Sequence, residues 1–494
     1  MQHMFSGRSA PDFHTNMLIV KVAPTPPPGP AAGFRMAAGS GGLGALAWME
    51  RAGMIRQITR LDEPGDRATP PFPPMHPLGH PAGHSLGGGA GLTAAMFSRE
   101  ATGGEAAAKP LANTSIIELD PTQDVRALAL ELARDPMVES ASLVPVRYLV
   151  VQAPRNGNRA RGGAAIAAVP PPNGEMWNLK KIRWANARAR PGFVEAAGVT
   201  VAVLDTGVER DHPDLKGRVA GYTHAYDGVS EPSSEQDLIG HGTHVTGTIT
   251  AGINNGIGIN GICSCELLSF KIFDDEPDYF PAENRFVYFV NPKMYLKALA
   301  ACVEARVDVI NLSIGGGGAP SPQERMLFQA LIGGGTVVCA AMGNEREFGS
   351  PISFPAAIPG VVAVGATTID DSVANFSNRG THIALAAPGT AIWSTLPTYP
   401  GQFGFEATFD AAGQPQQGKA KRRETNYDAW NGTSMATPHV TAAAALLRAR
   451  QPNLAPAIVR DKLMATADKV PLMGGASHHP DYGAGRLNLE QLLR

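Results

Sequence analysis

The second part of the chain carries short blocks of near-continuous apolar residues: Val199–Leu204, Val307–Ile314, Thr336–Met342 and Val361–Ala366. A strand buried on both faces reads this way. Helical runs lie between the blocks, so from about Trp177 onward the pattern predicts an α/β domain with a mostly parallel sheet. A long Ala/Leu-rich helix is predicted from Ser434 to about Arg450.

The first part is patterned differently. Met17–Val22 predicts a strand. Leu43–Ala52 has helical spacing (Leu43, Leu46, Ala47, Glu50) and stops at Gly53. Met54–Leu61 and Thr114–Leu119 predict two more strands. Asp124–Arg134 places Val125, Leu128 and Leu132 on one helical face, and Val138–Val151 returns as a strand. The order βαββαβ describes a small two-layer α+β unit of ferredoxin-like type. The expected organisation is a flexible arm at 1–16, an α+β domain at 17–151 and an exposed linker at 152–172. The α/β domain then occupies 173–494. Within the first domain, 63–112 is a low-complexity insert rich in Pro, Gly, Ala and His.

Composition narrows the classes. The 494 residues are 44% hydrophobic and 17% charged, which suits two or more globular domains with a large core. A net charge of −2 speaks against a nucleic-acid or anionic-membrane partner. No run of 18 apolar residues suggests a membrane span, and the first 16 residues lack the pattern of a secretory signal. The four cysteines, Cys263, Cys265, Cys302 and Cys339, are too few for a disulfide scaffold and are expected as buried thiols. His76, His80 and His84 recur every four residues, but Pro77 and Pro81 forbid the helix that would let them share a metal.

Three local patterns carry candidate chemistry. Val201-Ala-Val-Leu-Asp-Thr-Gly207 puts Asp205 at the C-terminal end of a buried strand, the rim where α/β sites assemble. An Asp that merely opens a turn has the same pattern. An aspartic protease needs two such carboxylates, and there is no second Asp-Thr-Gly or Asp-Ser-Gly. His241-Gly-Thr-His244-Val-Thr-Gly247 starts a helix with His241 at its exposed end and His244 turned inward. Asn431-Gly-Thr-Ser434-Met-Ala-Thr-Pro438 sets Ser434 at a helix N-terminus, either as a simple cap or as a nucleophile at the positive end of the dipole. Taken together they supply what a serine needs, a histidine to take its proton and a carboxylate to orient that histidine.

This order, Asp then His then Ser, and these flanks resemble the subtilisin family (subtilases) from about Trp177 to the C-terminus. The resemblance implies a subtilisin-like three-layer domain and a serine endopeptidase acting through an acyl-enzyme, with Asp205, His241 and Ser434 as triad. It implies Asn344, in Ala340-Ala-Met-Gly-Asn344, as oxyanion donor. Ile310-Asn-Leu-Ser313-Ile-Gly-Gly316 resembles the strand that pairs with substrate. Ser313, Ile314 and Gly315 would form one wall of the S1 pocket, Ala341 to Gly343 the other, and Ser353 the floor, which implies an apolar P1 residue. Ile253-Asn-Asn255-Gly-Ile257-Gly-Ile259 resembles a structural calcium loop, with Asp214 and Asn255 giving side-chain oxygens and Ile253, Ile257 and Ile259 giving carbonyls.

The first domain resembles subtilase propeptides. This implies a self-processed zymogen, cut in 152–172, whose N-terminal domain serves as intramolecular inhibitor and chaperone. Protein or peptide substrates are the other expected partners, with a monomer as the working form. Secretion is the family's habit, while a cytoplasmic location stays open. A binding protein on the same scaffold, inactive or permanently blocked, is the alternative. Two insertions depart from the family pattern: an acidic stretch at 274–286 (Asp274, Asp275, Glu276, Asp278, Glu283) and a stretch at 397–427 with Lys419, Lys421, Arg422 and Arg423.

Overall fold

The computed structural model describes residues 12–23, 46–62, 110–149, 176–224, 236–281 and 284–494. The expected linker 152–172, most of the insert 63–112, His76, His80, His84 and Glu283 lie outside the described residues.

The N-terminal unit contains β1 (Phe13–Val22), α1 (Ala47–Arg51), β2 (Ile55–Arg60), β3 (Thr114–Leu119), α2 (Val125–Leu132) and β4 (Val138–Pro145). Its antiparallel sheet has the order β2-β3-β1-β4. The period of two along a strand divides its side chains between two layers. Leu18, Val20, Ile117 and Leu119 pack with Leu128 and Leu132 of α2 in the unit's own core. Ile19, Ile116 and Val144 face the other way, into a core shared with the α/β domain. Asp124 caps α2 by accepting from the Arg126 and Ala127 N–H groups.

Two details differ from the sequence expectation. β1 begins at Phe13, inside the stretch 1–16 read as a flexible arm. The strand expected over Val138–Val151 breaks after Pro145, and β5 (Tyr148–Leu149) joins a different sheet. The Val146 N–H bonds to the Asp12 carbonyl and the Arg147 side chain is drawn into the other domain, so the chain turns out of its own sheet here.

The α/β domain opens with α3 (Trp177–Lys181) and α4 (Trp184–Arg188). It continues with β6 (Thr200–Asp205), β7 (Val219–His224), α5 (His241–Thr250), β8 (Glu266–Lys271), β9 (Asp278–Phe280), β10 (Arg285–Val287) and α6 (Pro292–Ala305). Then come β11 (Val309–Leu312), β12 (Ile314–Gly315), α7 (Pro322–Gly333), β13 (Val337–Ala341), β14 (Val362–Thr367), β15 (Leu385–Pro388) and β16 (Ile392–Leu396). The remainder is β17 (Gln402–Phe409), β18 (Pro415–Arg422), β19 (Asn426–Trp430), α8 (Thr433–Arg450), α9 (Pro456–Ala465) and α10 (Leu489–Leu492).

Seven strands form one parallel sheet in the order β15-β14-β13-β11-β6-β8-β7. Alternation assigns its two faces. Val201, Val203, Val309 and Cys339 meet α5, α8 and α9 in one core. Ala202, Leu204, Ile310 and Val338 meet α6 and α7 in the other. All four cysteines are free and buried, and burial pushes the Cys339 thiol up to about 12. The N-terminal sheet lies over α6 and α7, where Lys293 pairs with Glu118 at 2.5 Å and Gln323 bonds to Ser140 at 2.9 Å.

The two insertions meet. β9 and β10 come from the acidic stretch, β17 and β18 from the later one, and they build one antiparallel sheet in the order β18-β17-β10-β9. The acidic stretch is therefore only partly a solvated loop: Asp275 pairs with Lys271 and Asp274 accepts from Asn291. No helix among the described residues is long and apolar enough to cross a membrane.

Candidate active site

Asp205 ends β6, which lies between β8 and β11 in the middle of the sheet. His241 begins α5, and the His241 Nδ1–H donates to Asp205 Oδ1 at 2.6 Å with both side chains fully buried. A carboxylate at Nδ1 holds the proton there and leaves Nε2 as the bare, basic nitrogen. That Nε2 has no hydrogen-bond partner. Trp430 stacks against the His241 ring at 6.2 Å and against His244 at 4.9 Å.

The start of α5 is fastened to the turn after β6 by Asp237, which the sequence reading passed over. Its carboxylate accepts from Thr206 Oγ1 and the Gly240 N–H through Oδ1, and from the Thr243 N–H and Oγ1 through Oδ2, all at 2.7–2.9 Å. An acid at a helix N-terminus satisfies orphan N–H groups and the dipole together. Its position four residues before His241 was the available signal. Gly242 must be glycine, because a Cβ there would stand 2.0 Å from the Gly207 carbonyl oxygen.

Ser434 lies in the first turn of α8, whose interior contains Pro438. Proline has no N–H, so the Ser434 carbonyl loses its normal helical donor. Ser313 replaces it: Ser313 Oγ donates to the Ser434 carbonyl at 3.0 Å, and Ser434 Oγ donates back to the Ser313 carbonyl at 2.9 Å. The serine side chain therefore rests on the strand end, and no hydrogen bond joins it to His241 Nε2. Asn344 is held on one side only. Its Oδ1 accepts from the Thr433 N–H and Oγ1, both at 3.0 Å, while its Nδ2 is buried with no acceptor.

Around these groups the expected substrate-binding segments converge. β11 and β13 are neighbours with Leu312 beside Ala340, so the segments that leave them, Ser313–Gly315 and Ala341–Gly343, start from adjacent strands. Ser353 Oγ accepts from the Gly316 N–H at 3.2 Å, and the Phe354 N–H donates to the Gly316 carbonyl at 2.9 Å. β5 lies antiparallel on β12, with Leu149 opposite Ile314 and Tyr148 opposite Gly315. On its other side Tyr148 bridges Phe289, and the Val290 N–H donates to the Arg147 carbonyl at 3.0 Å. An extended peptide is thus clasped between two edges. The Phe289–Val290 edge left no signal in the sequence, because it is defined only by what it pairs with.

Two further buried histidines stand apart from the candidate site. His244 Nε2–H donates to the Ile392 carbonyl, and burial lowers its pKa to about 3. His439 lies between the Met435 carbonyl and Asn178 Nδ2, and burial lowers it to about 4. Both are neutral core residues. In the unfolded chain each titrates near 6.5, so below that pH only the unfolded chain takes up these two protons. Their contribution is complete above pH 6.5 and is lost as pH falls toward 4 and then 3. We expect unfolding free energy to drop by roughly 2–3 kcal/mol per pH unit near pH 5 from this pair. Denaturant titrations across pH measure the slope, and a flat profile from pH 6.5 to 4 contradicts it.

The loop 253–259 closes on Asp214. Asp214 Oδ2 accepts from the Ile259 N–H at 2.9 Å and from the Tyr427 hydroxyl, and Oδ1 accepts from Asn255 Nδ2 at 2.7 Å. Asn255 thus offers nitrogen, not the expected oxygen, to the carboxylate, and its Oδ1 accepts from the Ile257 N–H. Burial raises the Asp214 pKa above the usual carboxylate range. Among the described residues no three His, Cys, Asp or Glu side chains converge as a metal cluster. Both Asp214 oxygens and the Asn255 Oδ1 are therefore engaged in hydrogen bonds within the loop.

A covered parallel sheet with a buried Asp205–His241 pair at its rim, and Ser434 in the first turn of α8, defines an α/β protein with a candidate Asp-His-Ser site. The family model described as "Subtilase family" matches residues 196–485. Over 297 residues the chain is 34% identical to subtilisin of Bacillus pumilus, covering 60% of this chain and 90% of that one. It is also 34% identical to subtilisin amylosacchariticus of Bacillus subtilis subsp. amylosacchariticus, but spans only 65% of that relative's length. Fervidolysin from Fervidobacterium pennivorans, a keratinolytic enzyme related to subtilisin, superposes with a TM-score of 0.57 at 26% identity. That match covers 78% of this chain and 56% of fervidolysin. The chain belongs to the subtilase family.

Proposed function

We propose that the protein is a serine endopeptidase that cuts extended protein substrates through an acyl-enzyme. The observation that carries this is the buried 2.6 Å Asp205–His241 bond, which leaves His241 Nε2 without a hydrogen-bond partner. In this reading Ser434 Oγ leaves the Ser313 carbonyl by rotation about its Cα–Cβ bond and attacks a peptide carbonyl. Its proton passes to His241 Nε2, and Asp205 stabilises the imidazolium. The carbonyl oxygen becomes negative and is met by Asn344 Nδ2 and the Ser434 N–H. Collapse breaks the C–N bond as His241 returns the proton to the leaving amine, and water releases the acyl group by the same route. Ser313, Ile314, Gly315, Ala341, Gly343 and Ser353 line the substrate channel, with an apolar preference at P1.

The N-terminal unit is read as an intramolecular inhibitor. Its β5 adopts the pairing that strand-addition ligands use, and cutting in 152–172 would free the cleft. The test is casein hydrolysis before and after nicking of that region by an added protease. Activity that appears on nicking and is stopped by phenylmethylsulfonyl fluoride, but not by pepstatin, is the expected result. A nicked protein that stays inert sinks the enzyme reading.

Calcium belongs to the same proposal. Asp214 and the carbonyls of Ile253, Ile257 and Ile259 would hold it, and the ion would take the place of the Asn255 N–H as the partner of Asp214 Oδ1. We expect a chelator to lower the melting temperature by several degrees, and Asp214→Asn to abolish the calcium response. An unchanged melting curve with and without calcium removes the ion from the account.

A further inference from the structure

Arg147 precedes the residue facing Gly315, and its side chain leaves the N-terminal unit altogether. It enters a pocket of the α/β domain, where it and Glu324 are each only 2% exposed. Arg147 Nη2 donates to Glu324 Oε2 at 3.0 Å and to Oε1 at 3.2 Å, and Nη1 donates to the Gly318 carbonyl at 2.8 Å. Tyr295 donates its hydroxyl to Glu324 Oε1 at 3.1 Å. Glu324 is the third residue of α7, after the Ser321 cap and Pro322. At that position a glutamate commonly turns back to the cap N–H. Here its oxygens take their hydrogen bonds from Arg147 and Tyr295. Gly316 admits the approach of the segment that leads into β5, since a Cβ there would lie 2.3 Å from the Val146 carbonyl oxygen.

We propose that the pocket formed by Glu324, Tyr295 and the Gly318 carbonyl is an arginine subsite of the substrate channel. The N-terminal unit fills it in the intact chain. The inference rests on the reading of the β12 groove as that channel. A substrate laid on β12 in the register of β5 places one side chain where Arg147 stands. A neutral side chain there leaves a buried carboxylate without its counter-charge, which is strongly unfavourable. The two-point contact with Glu324 and the separate contact with Gly318 match the planar fork of a guanidinium, so arginine is favoured over lysine. Sites built around buried polar partners discriminate steeply against substrates that lack the matching group.

The test uses the full chain nicked within 150–175 and a set of fluorogenic decapeptides. In the set a single arginine is walked along an otherwise neutral sequence, beside citrulline and lysine versions. The expected result is a preference of roughly 10²–10⁴-fold in kcat/KM for arginine over citrulline at one position and none elsewhere. In Glu324→Gln that ratio falls to within a few-fold of one. Tyr295→Phe lowers it partially without removing charge, should the glutamate variant fold poorly. Ratios within one preparation are independent of the folded fraction. Casein hydrolysis with no arginine preference at any position overturns the subsite and leaves the peptidase reading standing. A preference that survives in Glu324→Gln overturns it too. Inert wild type on casein and every peptide defeats both.

Discussion

Ser434→Ala should fold normally and lose both casein hydrolysis and cleavage of its own linker, with kcat down by about 10⁶-fold. The fold survives because the hydroxyl makes one hydrogen bond, to the Ser313 carbonyl. Losing it costs about 1 kcal/mol. The return bond from Ser313 Oγ goes to the Ser434 backbone carbonyl and is unaffected. Catalysis is lost because, in the proposed mechanism, the Ser434 hydroxyl is the group that attacks the substrate carbonyl. The loss is not additive: His241→Ala alone, and the double variant, should be about as inactive as Ser434→Ala. Residual activity within tenfold of wild type would mean that another nucleophile operates. A melting temperature more than a few degrees below wild type would mean that the serine holds the fold.

The second large effect is at Asn344. Thr433 takes both available bonds to its Oδ1, so the amide cannot swing away and its Nδ2–H group has no acceptor. A donor fixed in this way gains its partner only when negative charge develops on the substrate oxygen. Asn344→Leu should therefore lower kcat by about 10²–10³-fold with little change in KM, equivalent to roughly 2.7–4 kcal/mol of barrier. Asn344→Asp keeps the shape and removes the donor, so it should be no better. Steady-state kinetics on a nicked preparation decide the matter. An effect confined to KM would make Asn344 a ground-state contact.

The proposed chemistry could be read from the sequence because each candidate residue carries a local signature. Asp205 ends a run of apolar strand residues, His241 follows a glycine that opens a helix, and Ser434 sits between a Gly-Thr turn and the Ala-rich helix. The two halves of the chain were legible for a similar reason, since continuous apolar strands and βαββαβ spacing are patterns within a segment. Contacts between segments far apart in the chain were not legible. The Ser313–Ser434 clasp follows from Pro438 only once β11 and α8 are known to be neighbours. The two insertions look like unrelated surface loops until Phe286 is found opposite Phe405. Arg147 reads as one more residue of a strand, and Glu324 as an ordinary first-turn acid of a helix, until the strand breaks at Pro145 and brings them together. Asn255 is the opposite case: its type suited the expected role, but its hydrogen bonds turn the amide nitrogen toward Asp214.

The most direct test of the central claim is reaction of the nicked protein with a biotinylated fluorophosphonate, followed by peptide mapping in a mass spectrometer. The account predicts one phosphonyl group per molecule, on Ser434 Oγ, with labelling abolished in His241→Ala. A label on any other residue, or none on a protein that hydrolyses casein, would contradict it.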